Sequence, residues 1–343
     1  MDQPLARDLD HILQHTEALW TDTRGARFFL TGGTGFVGTW LTESFLWANR
    51  SLGLGMSAML LTRNPEAFRV RSPHLARDPA LALLRGDVAD FATPEGPFQF
   101  VIHAAAGPHF PPDVQRPAGM LDRDLAATRR VLEFARTAGA RRLLFTSSGA
   151  VYGKQPADVP NVNEDYQGAP ATCDTSSAYG ASKRISEYLC ACYSQVYGIE
   201  ATIARLFAFI GPHLPLHADY AAGNFLRDAM SGGPIRIAGD GAPFRSYLYA
   251  ADLAIWLWTI LLRGAPARPY NVGSPEEISI LELARAIARE VAPGAEIRVA
   301  QKALPGALAA RYVPSVERAE RELGLRVWIP LNEAIRRTRD FLQ

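Results

Sequence analysis

The sequence has few cysteines, and its apolar runs are short. Its three cysteines, Cys173, Cys190 and Cys192, have neither metal-ligand spacing nor disulfide spacing. Because cysteine is scarce and the chain shows no signal peptide, we expect a reducing, cytoplasmic location. The longest apolar run, Leu253 to Leu262, is too short to cross a bilayer and predicts a buried helix. We therefore expect no membrane partner and no metal site.

The chain also lacks an excess of charge of either sign. Its formal net charge is +1, so no overall field attracts nucleic acid, and we expect none as a partner. It shows no internal repeat and no low-complexity segment, which excludes a repeat architecture and a disordered chain. With 343 residues, of which 48% are hydrophobic, the chain can bury a full core, and we expect two closely joined lobes.

A glycine-rich segment, Thr31-Gly32-Gly33-Thr34-Gly35-Phe36-Val37-Gly38, follows the apolar run 27–30 and precedes a helical pattern over 39–49. Its glycines therefore lie where a strand turns into a helix. Glycine lets the backbone approach a pyrophosphate closely, and the free N–H groups at the start of a helix favour an anion. This context predicts a phosphate-binding turn.

A second motif, Tyr179-Gly180-Ala181-Ser182-Lys183, falls in a predicted helix over 176–197. Residues four apart share one face of a helix, so Tyr179 and Lys183 project together. A cation beside a phenol lowers a pKa that is ordinarily about 10, which makes the tyrosine a usable acid or base. A strand ending in Thr146-Ser147-Ser148 brings hydroxyls to the edge where doubly wound sheets place their chemistry.

The wider pattern alternates strands and helices, which predicts an α/β fold with a parallel sheet flanked by helices. Strands are predicted at 27–31, 57–62, 81–85, 99–103, 142–147, 200–206 and 269–272. Helices are predicted at 1–20, 119–138, 176–197, 279–291, 315–323 and 331–342. Between the sixth and seventh strands, a short helix around 224–230 and a short strand at 235–237 are expected.

Several motifs in this order resemble the extended short-chain dehydrogenase/reductase family, which includes nucleotide-sugar epimerases, dehydratases and reductases. The matching segments are 31–38, Gly86-Asp87-Val88, His103-Ala104-Ala105-Ala106, 146–153, Tyr179 with Lys183, Arg205-Leu206-Phe207 and 245–252. The resemblance implies a Rossmann-type doubly wound parallel sheet with a smaller, discontinuous α/β substrate lobe.

The resemblance also implies a role for each matching residue. Ser148 would be the catalytic hydroxyl and Tyr179 the proton carrier, while Lys183 would hold the nicotinamide ribose and lower the tyrosine pKa. Ser148, Asn224 and Arg245 would bind the substrate, a nucleotide-diphosphate sugar, with Asn224 and Arg245 on the diphosphate. The dinucleotide would be held by Gly32, Thr34, Gly35, Phe36, Val37, Gly38, Arg63, Asp87, Val88, Ala104, Ala105 and Lys183, with Asp87 and Val88 at the adenine.

The same resemblance suggests how the chain is divided. Residues 1–26 would form an N-terminal helical extension packed outside the first lobe. Residues 27–205 and 246–273 would form the dinucleotide-binding domain, and residues 206–245 and 274–343 the nucleotide-sugar-binding lobe. The proline-rich segment 107–118 is interpreted as a wall or lid of the substrate pocket, with a plain connector as the alternative.

The residues after the catalytic serine bear on the reaction. Dehydratases of the family follow their catalytic threonine with acidic residues, and decarboxylating members also use an acid near this point. Here Ser148 is followed by Gly149 and Ala150, neither of which can move a proton. We therefore disfavour dehydration and decarboxylation, unless Glu164 or Asp165 reaches the site from another loop.

The end of the second strand bears on the cofactor. NAD-binding members usually place an aspartate here for the adenosine ribose, whereas this chain has Thr62 and Arg63. An arginine favours a 2′-phosphate, so NADP(H) is the favoured cofactor and NAD the alternative. A side chain of Arg63 that simply points into solvent would remove this preference.

These features lead to one preferred function and two alternatives. The preferred function is a reductase that delivers hydride to the keto group of a nucleotide-linked 4-keto-6-deoxy sugar, with Tyr179 as proton donor and Ser148 orienting the carbonyl. The first alternative is a nucleotide-sugar 4-epimerase with tightly bound NAD, although Ala208 stands where epimerases usually carry an asparagine. The second is a non-catalytic regulator that senses NADP(H), against which the intact Ser148, Tyr179 and Lys183 argue.

The two long helices 119–138 and 176–197 suggest a homodimer. In the family they commonly pair across a twofold axis as a four-helix bundle. The apolar residues available for that contact are Leu125, Val131, Leu132, Phe134, Ile185, Leu189 and Tyr193. The same side chains could instead face the sheet.

Overall fold

The structure, a computed structural model, describes residues 5–105, 117–218, 220–302, 306 and 308–343. Its strands are β1 Arg27–Thr31, β2 Ser57–Thr62, β3 Leu81–Arg85, β4 Phe100–His103, β5 Arg142–Ser148, β6 Glu200–Leu206, β7 Phe209–Ile210, β8 Ile235–Ile237, β9 Phe244–Arg245, β10 Leu248–Tyr249, β11 Pro269–Val272, β12 Ile278–Ser279, β13 Ile297–Val299 and β14 Arg311–Tyr312. Each of the seven longer strands predicted from sequence is present, with a one-residue difference at the start of β4 and at the end of β5.

The helices include each of the longer ones that the sequence predicts. They are α1 Ala6–Thr16, α2 Phe36–Ser51, α3 Pro65–Arg71, α4 Pro73–Ala76, α5 Pro117–Thr137, α6 Ala178–Tyr197, α7 Ala221–Met230, α8 Ala250–Arg263, α9 Ile280–Val291, α10 Glu317–Leu323 and α11 Leu331–Leu342. Short 3₁₀ helices cover Glu17–Thr23, Gly149–Tyr152 and Thr175–Ser177. Among the described residues, none of these helices combines the length and apolar character needed to span a membrane.

Seven parallel strands form the central sheet, in the order β11-β6-β5-β4-β1-β2-β3. The strand order reverses between β1 and β4, which are neighbours although β2 and β3 lie between them in the chain. A doubly wound sheet opens a crevice at the carboxyl ends of two such strands. The predicted Rossmann-type α/β fold is confirmed, and the glycine-rich turn after β1 borders this crevice.

Each face of the sheet has its own apolar core, because successive strand residues point to opposite sides. On one face Phe28 stacks on Phe100 with ring centroids 4.6 Å apart, and on the other Phe29 lies 4.4 Å from Phe134. Helix α8 packs on the first face and is buried along almost its whole length, as the apolar run 253–262 predicts. Burial of its Trp256 and Trp258 contributes about 3 kcal/mol or more for each ring.

The N-terminal helix is fastened by buried polar contacts. It ends at Thr16 and continues as a 3₁₀ helix, so the predicted single helix over 1–20 is only partly correct. The carboxylate of Asp8 accepts hydrogen bonds from Tyr249 and Arg337, both at 2.5 Å. His11 pairs with the buried Asp252 at 3.1 Å, so α1 is tied to helices α8 and α11.

Small sheets lie beside the main one. They pair β7 with β10, β8 with β13, and β9 with both β12 and β14. In the parallel pair of β9 and β14, Arg245 lies directly opposite Tyr312. The domain boundaries expected from sequence stay a prediction. The expected pocket wall at 107–118 falls largely outside the described residues, and its last two residues open helix α5.

Candidate active site

The turn after β1 requires glycine at two points. Gly32 has a positive φ of 72°, and a β-carbon there would lie 2.5 Å from the carbonyl carbon of Ala104. A β-carbon at Gly38 would lie 2.1 Å from the carbonyl oxygen of Gly32 and 2.4 Å from the α-carbon of Gly33. The turn is therefore folded tightly onto itself and onto the loop after β4, which allows no side chain at either position.

The start of helix α2 fits a phosphate. The residue before the helix is Gly35, which has no side chain to cap the first N–H groups. A β-carbon at Gly35 would meet nothing closer than the Gly32 carbonyl oxygen at 3.4 Å, so the space in front of the helix is open. A 16-residue helix also offers the positive end of its dipole there. Phe36 and Val37 are the first two residues of this helix, and Thr34 lies two residues before it.

Polar contacts between β1 and β4 hold the adjacent loop in place. His103 lies 2.9 Å from the Thr31 hydroxyl and 3.3 Å from the Thr128 hydroxyl, both through ring nitrogens. Burial lowers the pKa of His103 to about 3, with Lys183 adding to the effect, so the imidazole is neutral near pH 7. The backbone N–H of Ala105 donates to the Thr31 hydroxyl at 3.2 Å, which fixes the Ala104-Ala105 segment beside the glycine turn.

The adenosine end of the predicted dinucleotide site is rich in arginine. Arg63 is exposed at the end of β2, and its carbonyl accepts a hydrogen bond from Arg85 at 3.5 Å. Arg71, which the sequence analysis did not single out, donates to the Thr34 carbonyl of the glycine turn. Because Glu66 pairs with Arg85, the cluster keeps an excess of positive charge.

The loop after β3 lies on the same edge of the sheet. The Gly86 N–H donates to the Thr62 carbonyl at 3.1 Å, which joins this loop to the end of β2. The Asp87 carboxylate accepts from the N–H of Ala89 at 3.0 Å, and Val88 packs against the apolar core. The structure therefore brings Asp87 and Val88 to the loop beside Arg63, where the sequence analysis expects the adenine.

The three predicted catalytic residues meet at the carboxyl end of β5. Ser148 is the last residue of that strand, and Tyr179 and Lys183 lie one turn apart at the start of α6. A hydrogen bond from Ser148 to the phenol of Tyr179 favours the phenolate. The ammonium group of Lys183 lies 5.8 Å from the centre of the Tyr179 ring and donates to the Thr146 carbonyl at 2.9 Å.

Burial shifts the pKa values of Tyr179 and Lys183. The shift of Tyr179 is opposite to the one expected from the sequence. Desolvation raises the pKa of Tyr179 well above its ordinary value, and this exceeds the opposing effect of Ser148. The expectation of a lowered tyrosine pKa is therefore wrong for this structure. Burial also lowers the pKa of Lys183 to about 8, so its charge titrates close to neutral pH. Tyr179 is thus protonated and ready to act as an acid.

A second tyrosine, Tyr312, lies beside Ser148 and was not predicted from the sequence. The hydroxyl oxygen of Tyr312 lies 3.3 Å from the Ser148 hydroxyl oxygen and 3.3 Å from the Leu206 carbonyl oxygen. Its ring centroid is 4.6 Å from that of Phe207. Tyr312 lies on the short strand β14, far from both motifs in the chain, so no spacing in the sequence points to it.

The two positions that follow Ser148 hold no acid, and neither Glu164 nor Asp165 takes their place. A β-carbon at Gly149 would lie 2.6 Å from the Phe207 ring and 2.8 Å from the Tyr312 hydroxyl, so aromatic atoms already occupy that space. Glu164 accepts a hydrogen bond from the backbone of Asn271 at 2.8 Å. Asp165 pairs with Arg318 at 2.5 Å. Both carboxylates are therefore bonded to other residues. The alternative in which Glu164 or Asp165 reaches Ser148 is not supported.

The two predicted diphosphate ligands are placed differently. The guanidinium of Arg245 lies 5.8 Å from the centre of the Tyr312 ring, close to the catalytic hydroxyls. Asn224 lies in α7, where its side-chain oxygen accepts from Arg227 at 3.0 Å. The structure therefore brings Arg245 close to Tyr312 and Ser148, while the Asn224 side chain bonds within its own helix.

A buried ion pair supports the helix that carries Tyr179 and Lys183. Arg205 donates to both carboxylate oxygens of Glu187, at 2.9 and 2.7 Å, and to the hydroxyl of Tyr152 at 2.8 Å. Ser147 donates to the same carboxylate at 2.5 Å. Because Glu187 is one turn beyond Lys183, this network fixes α6 against β5 and β6 and sets the position of the catalytic pair.

Comparison with known proteins agrees with this geometry. The model of the NAD dependent epimerase/dehydratase family matches residues 28–273. UDP-glucuronic acid decarboxylase 1 of Xenopus tropicalis is 29% identical over 91% of this chain and 71% of its own length. Its named reaction is one that the sequence analysis disfavours for this chain.

Solved structures show the same fold. The UDP-glucose 4-epimerase of Thermus thermophilus, in complex with NAD, is 26% identical, with a TM-score of 0.75 over 92% of this chain and 98% of its own. The UDP-glucose 4-epimerase of Thermotoga maritima has a TM-score of 0.76 over the same shares at 18% identity, a likeness of fold alone. The resemblance to extended short-chain dehydrogenases/reductases is confirmed, and the chain belongs to the NAD dependent epimerase/dehydratase family.

Proposed function

We propose that this protein exchanges hydride between carbon 4 of a nucleotide-linked sugar and a bound nicotinamide dinucleotide. The observation that carries the proposal is the meeting of Ser148, Tyr179 and Lys183 at the end of β5, with no acid at the two positions that follow Ser148. Hydroxyls can orient an alcohol or ketone and move one proton. Elimination of water would need a further acid or base, which Gly149 and Ala150 do not provide.

The proposed roles follow from the positions of these side chains. Ser148 orients the sugar oxygen, and Tyr179 gives that oxygen its proton or takes it away. Lys183 keeps positive charge beside the reacting phenol. The nicotinamide, when bound, supplies or accepts the hydride. Arg245 holds the sugar diphosphate, because a guanidinium offers paired donors to phosphate oxygens.

The first candidate reaction is 4-epimerisation with retained NAD. It requires only the groups that meet at β5, acting in both directions on one sugar. The 26% identical relative is named a UDP-glucose 4-epimerase and was solved with NAD. The presence of Ala208 in place of the asparagine usual in epimerases counts against it.

The test of this function is a panel of nucleotide sugars offered to the purified protein. UDP-glucose converted to its 4-epimer would establish epimerisation, and consumption of a 4-keto-6-deoxy sugar with NADPH would establish reduction. UDP-glucuronate should also be included, because decarboxylases are among the relatives and a 4-keto uronate loses CO₂ readily. Bound dinucleotide without turnover of any member would revive the regulatory alternative and contradict the proposal.

The second candidate, a 4-keto sugar reductase, is favoured by the arginines at the adenosine end. A reductase draws on free NADPH, and the exposed guanidinium of Arg63 would pair with its 2′-phosphate. We expect Arg63→Ser to raise the dissociation constant for NADPH about tenfold and to leave that for NADH within about twofold, since one charge-assisted contact contributes about 1.5 kcal/mol. Titration calorimetry with both dinucleotides gives the two values.

Arg77→Ser is the matched control for this prediction, because it removes the same charge from an exposed position at the end of α4. It should leave both dissociation constants unchanged. An equal loss of affinity for the two dinucleotides in Arg63→Ser, or no loss at all, would contradict the NADP(H) preference and favour NAD.

We also propose a homodimer that uses the exposed face of α6, in a reducing, cytoplasmic location that the scarcity of cysteine suggests. Val131, Leu132, Phe134 and Tyr193, which the sequence analysis offered for this contact, are buried against the sheet. The exposed apolar residues of α6 are Ile185, Tyr188, Val196 and Tyr197. Isolated exposed apolar residues are common, but four on one helix indicate a contact surface.

We expect Tyr188→Arg to convert the dimer to a monomer at micromolar concentration, because a charge would then be buried in the contact without a partner. Sedimentation velocity measures the change. Val70→Arg places the same charge at an exposed apolar position on α3 and should leave the dimer intact. A parent protein that sediments as a monomer would exclude this assembly.

A further inference from the structure

Tyr312 is held in one position beside Ser148 by contacts on several sides. Its ring packs on Phe207, and strand pairing places it opposite Arg245. Its hydroxyl has two neighbouring oxygens, both at 3.3 Å, namely the Ser148 hydroxyl and the Leu206 carbonyl. A phenol fixed in this way, within reach of a catalytic hydroxyl, is placed to control how that hydroxyl is oriented.

The direction of the hydrogen bond between the two hydroxyls follows from their other partners. The Leu206 carbonyl oxygen can only accept, so the Tyr312 hydroxyl donates its proton to that oxygen at 3.3 Å. Because that proton is committed to Leu206, Tyr312 meets the Ser148 hydroxyl through an oxygen lone pair, at a distance of 3.3 Å. Ser148 accepts from the Ala150 N–H at 3.1 Å, so its oxygen is held by the backbone on one side and by Tyr312 on the other.

We infer that Tyr312 is a positioning residue for the reaction at carbon 4: its hydroxyl, anchored by Leu206, holds the Ser148 hydroxyl in the orientation that faces Tyr179 and the substrate oxygen. This inference rests on the proposed function. Without the Tyr312 hydroxyl, the Ser148 hydroxyl rotates more freely, and a smaller fraction of molecules presents it to the reacting oxygen in that orientation. The effect should fall on the chemical step, because Tyr312 acts through Ser148.

The test is Tyr312→Phe, which keeps the ring and its packing and removes only the oxygen. With a nucleotide sugar that the parent converts, we expect kcat to fall about tenfold and KM to change by less than about twofold, the loss of one hydrogen bond being worth about 1 kcal/mol. Tyr166→Phe removes a hydroxyl from the same aromatic cluster without touching Ser148 and should retain the kinetics of the parent.

A double-mutant cycle separates positioning from a merely structural role. In a Ser148→Ala background the hydroxyl that Tyr312 orients is gone, so Tyr312→Phe should cause no further loss of kcat. A full tenfold loss in that background, or parent kinetics for Tyr312→Phe alone, would overturn the inference and leave the proposed function standing. Absence of turnover by the parent with every nucleotide sugar would overturn both.

Discussion

Tyr179→Phe is expected to reduce kcat by about 10²- to 10⁴-fold, the range that a positioned acid or base contributes. The phenol oxygen is the proton carrier for the sugar oxygen, and the contact with Ser148 shows that it faces the catalytic group. Burial keeps its pKa high, so the group that is lost is a protonated acid near neutral pH. Steady-state kinetics with the accepted nucleotide sugar measures the change.

Dinucleotide affinity and thermal stability are the controls for this variant. Tyr179→Phe keeps the ring, and Lys183 still donates to the Thr146 carbonyl, so both properties should stay within error of the parent. A kcat within a few-fold of the parent would mean that another group moves the proton. A parallel loss of dinucleotide binding would mean that the tyrosine serves the cofactor and not the reaction.

Gly38→Ala is expected to destabilise the protein by about 3 kcal/mol and to weaken dinucleotide binding by at least about tenfold. The added β-carbon would lie 2.1 Å from a backbone oxygen and 2.4 Å from an α-carbon, and backbone atoms cannot move aside as a flexible side chain can. Helix α2 must therefore shift away from the glycine turn, and its free N–H groups shift with it. Denaturant unfolding and a dinucleotide titration report the two effects.

Gly239→Ala is the matched control, because a β-carbon there would meet nothing within 4 Å and the backbone carries no positive φ. It should be neutral or slightly stabilising. A Gly38→Ala variant as stable as the parent would contradict the close packing of the glycine turn against the start of α2. A loss of stability without a loss of dinucleotide affinity would place the binding site elsewhere.

The fold could be predicted from the sequence because its signals are local. Each strand of the main sheet is a short apolar run bounded by turn residues, and alternation with helices selects a parallel sheet. The glycine turn was predictable for the same reason, since its strand, glycines and helix are contiguous from Arg27 to Ser51. Tyr179 and Lys183 follow from helical spacing alone.

The features that could not be predicted depend on contacts between distant segments. Tyr312 reaches Ser148 only because the two-residue strand β14 pairs beside β9. The raised pKa of Tyr179 depends on burial, which no spacing reveals. Helix periodicity shows that α5 has an apolar stripe, but the packing of Phe134 on Phe29 is what shows that the stripe faces the sheet.

The most direct test of hydride exchange at carbon 4 is to follow a deuterium label at that carbon. The accepted nucleotide sugar would carry deuterium at carbon 4, or the nicotinamide would carry it in the reducing direction. Mass spectrometry would locate the label in samples quenched during the first turnover, because an epimerase returns it to the sugar by the end of the cycle. We predict transfer between the sugar and the nicotinamide with no loss to solvent, slowed by about 10²- to 10⁴-fold in Tyr179→Phe. Loss of the label to water would contradict the proposed reaction. Product formed without the label ever reaching the nicotinamide would contradict it as well.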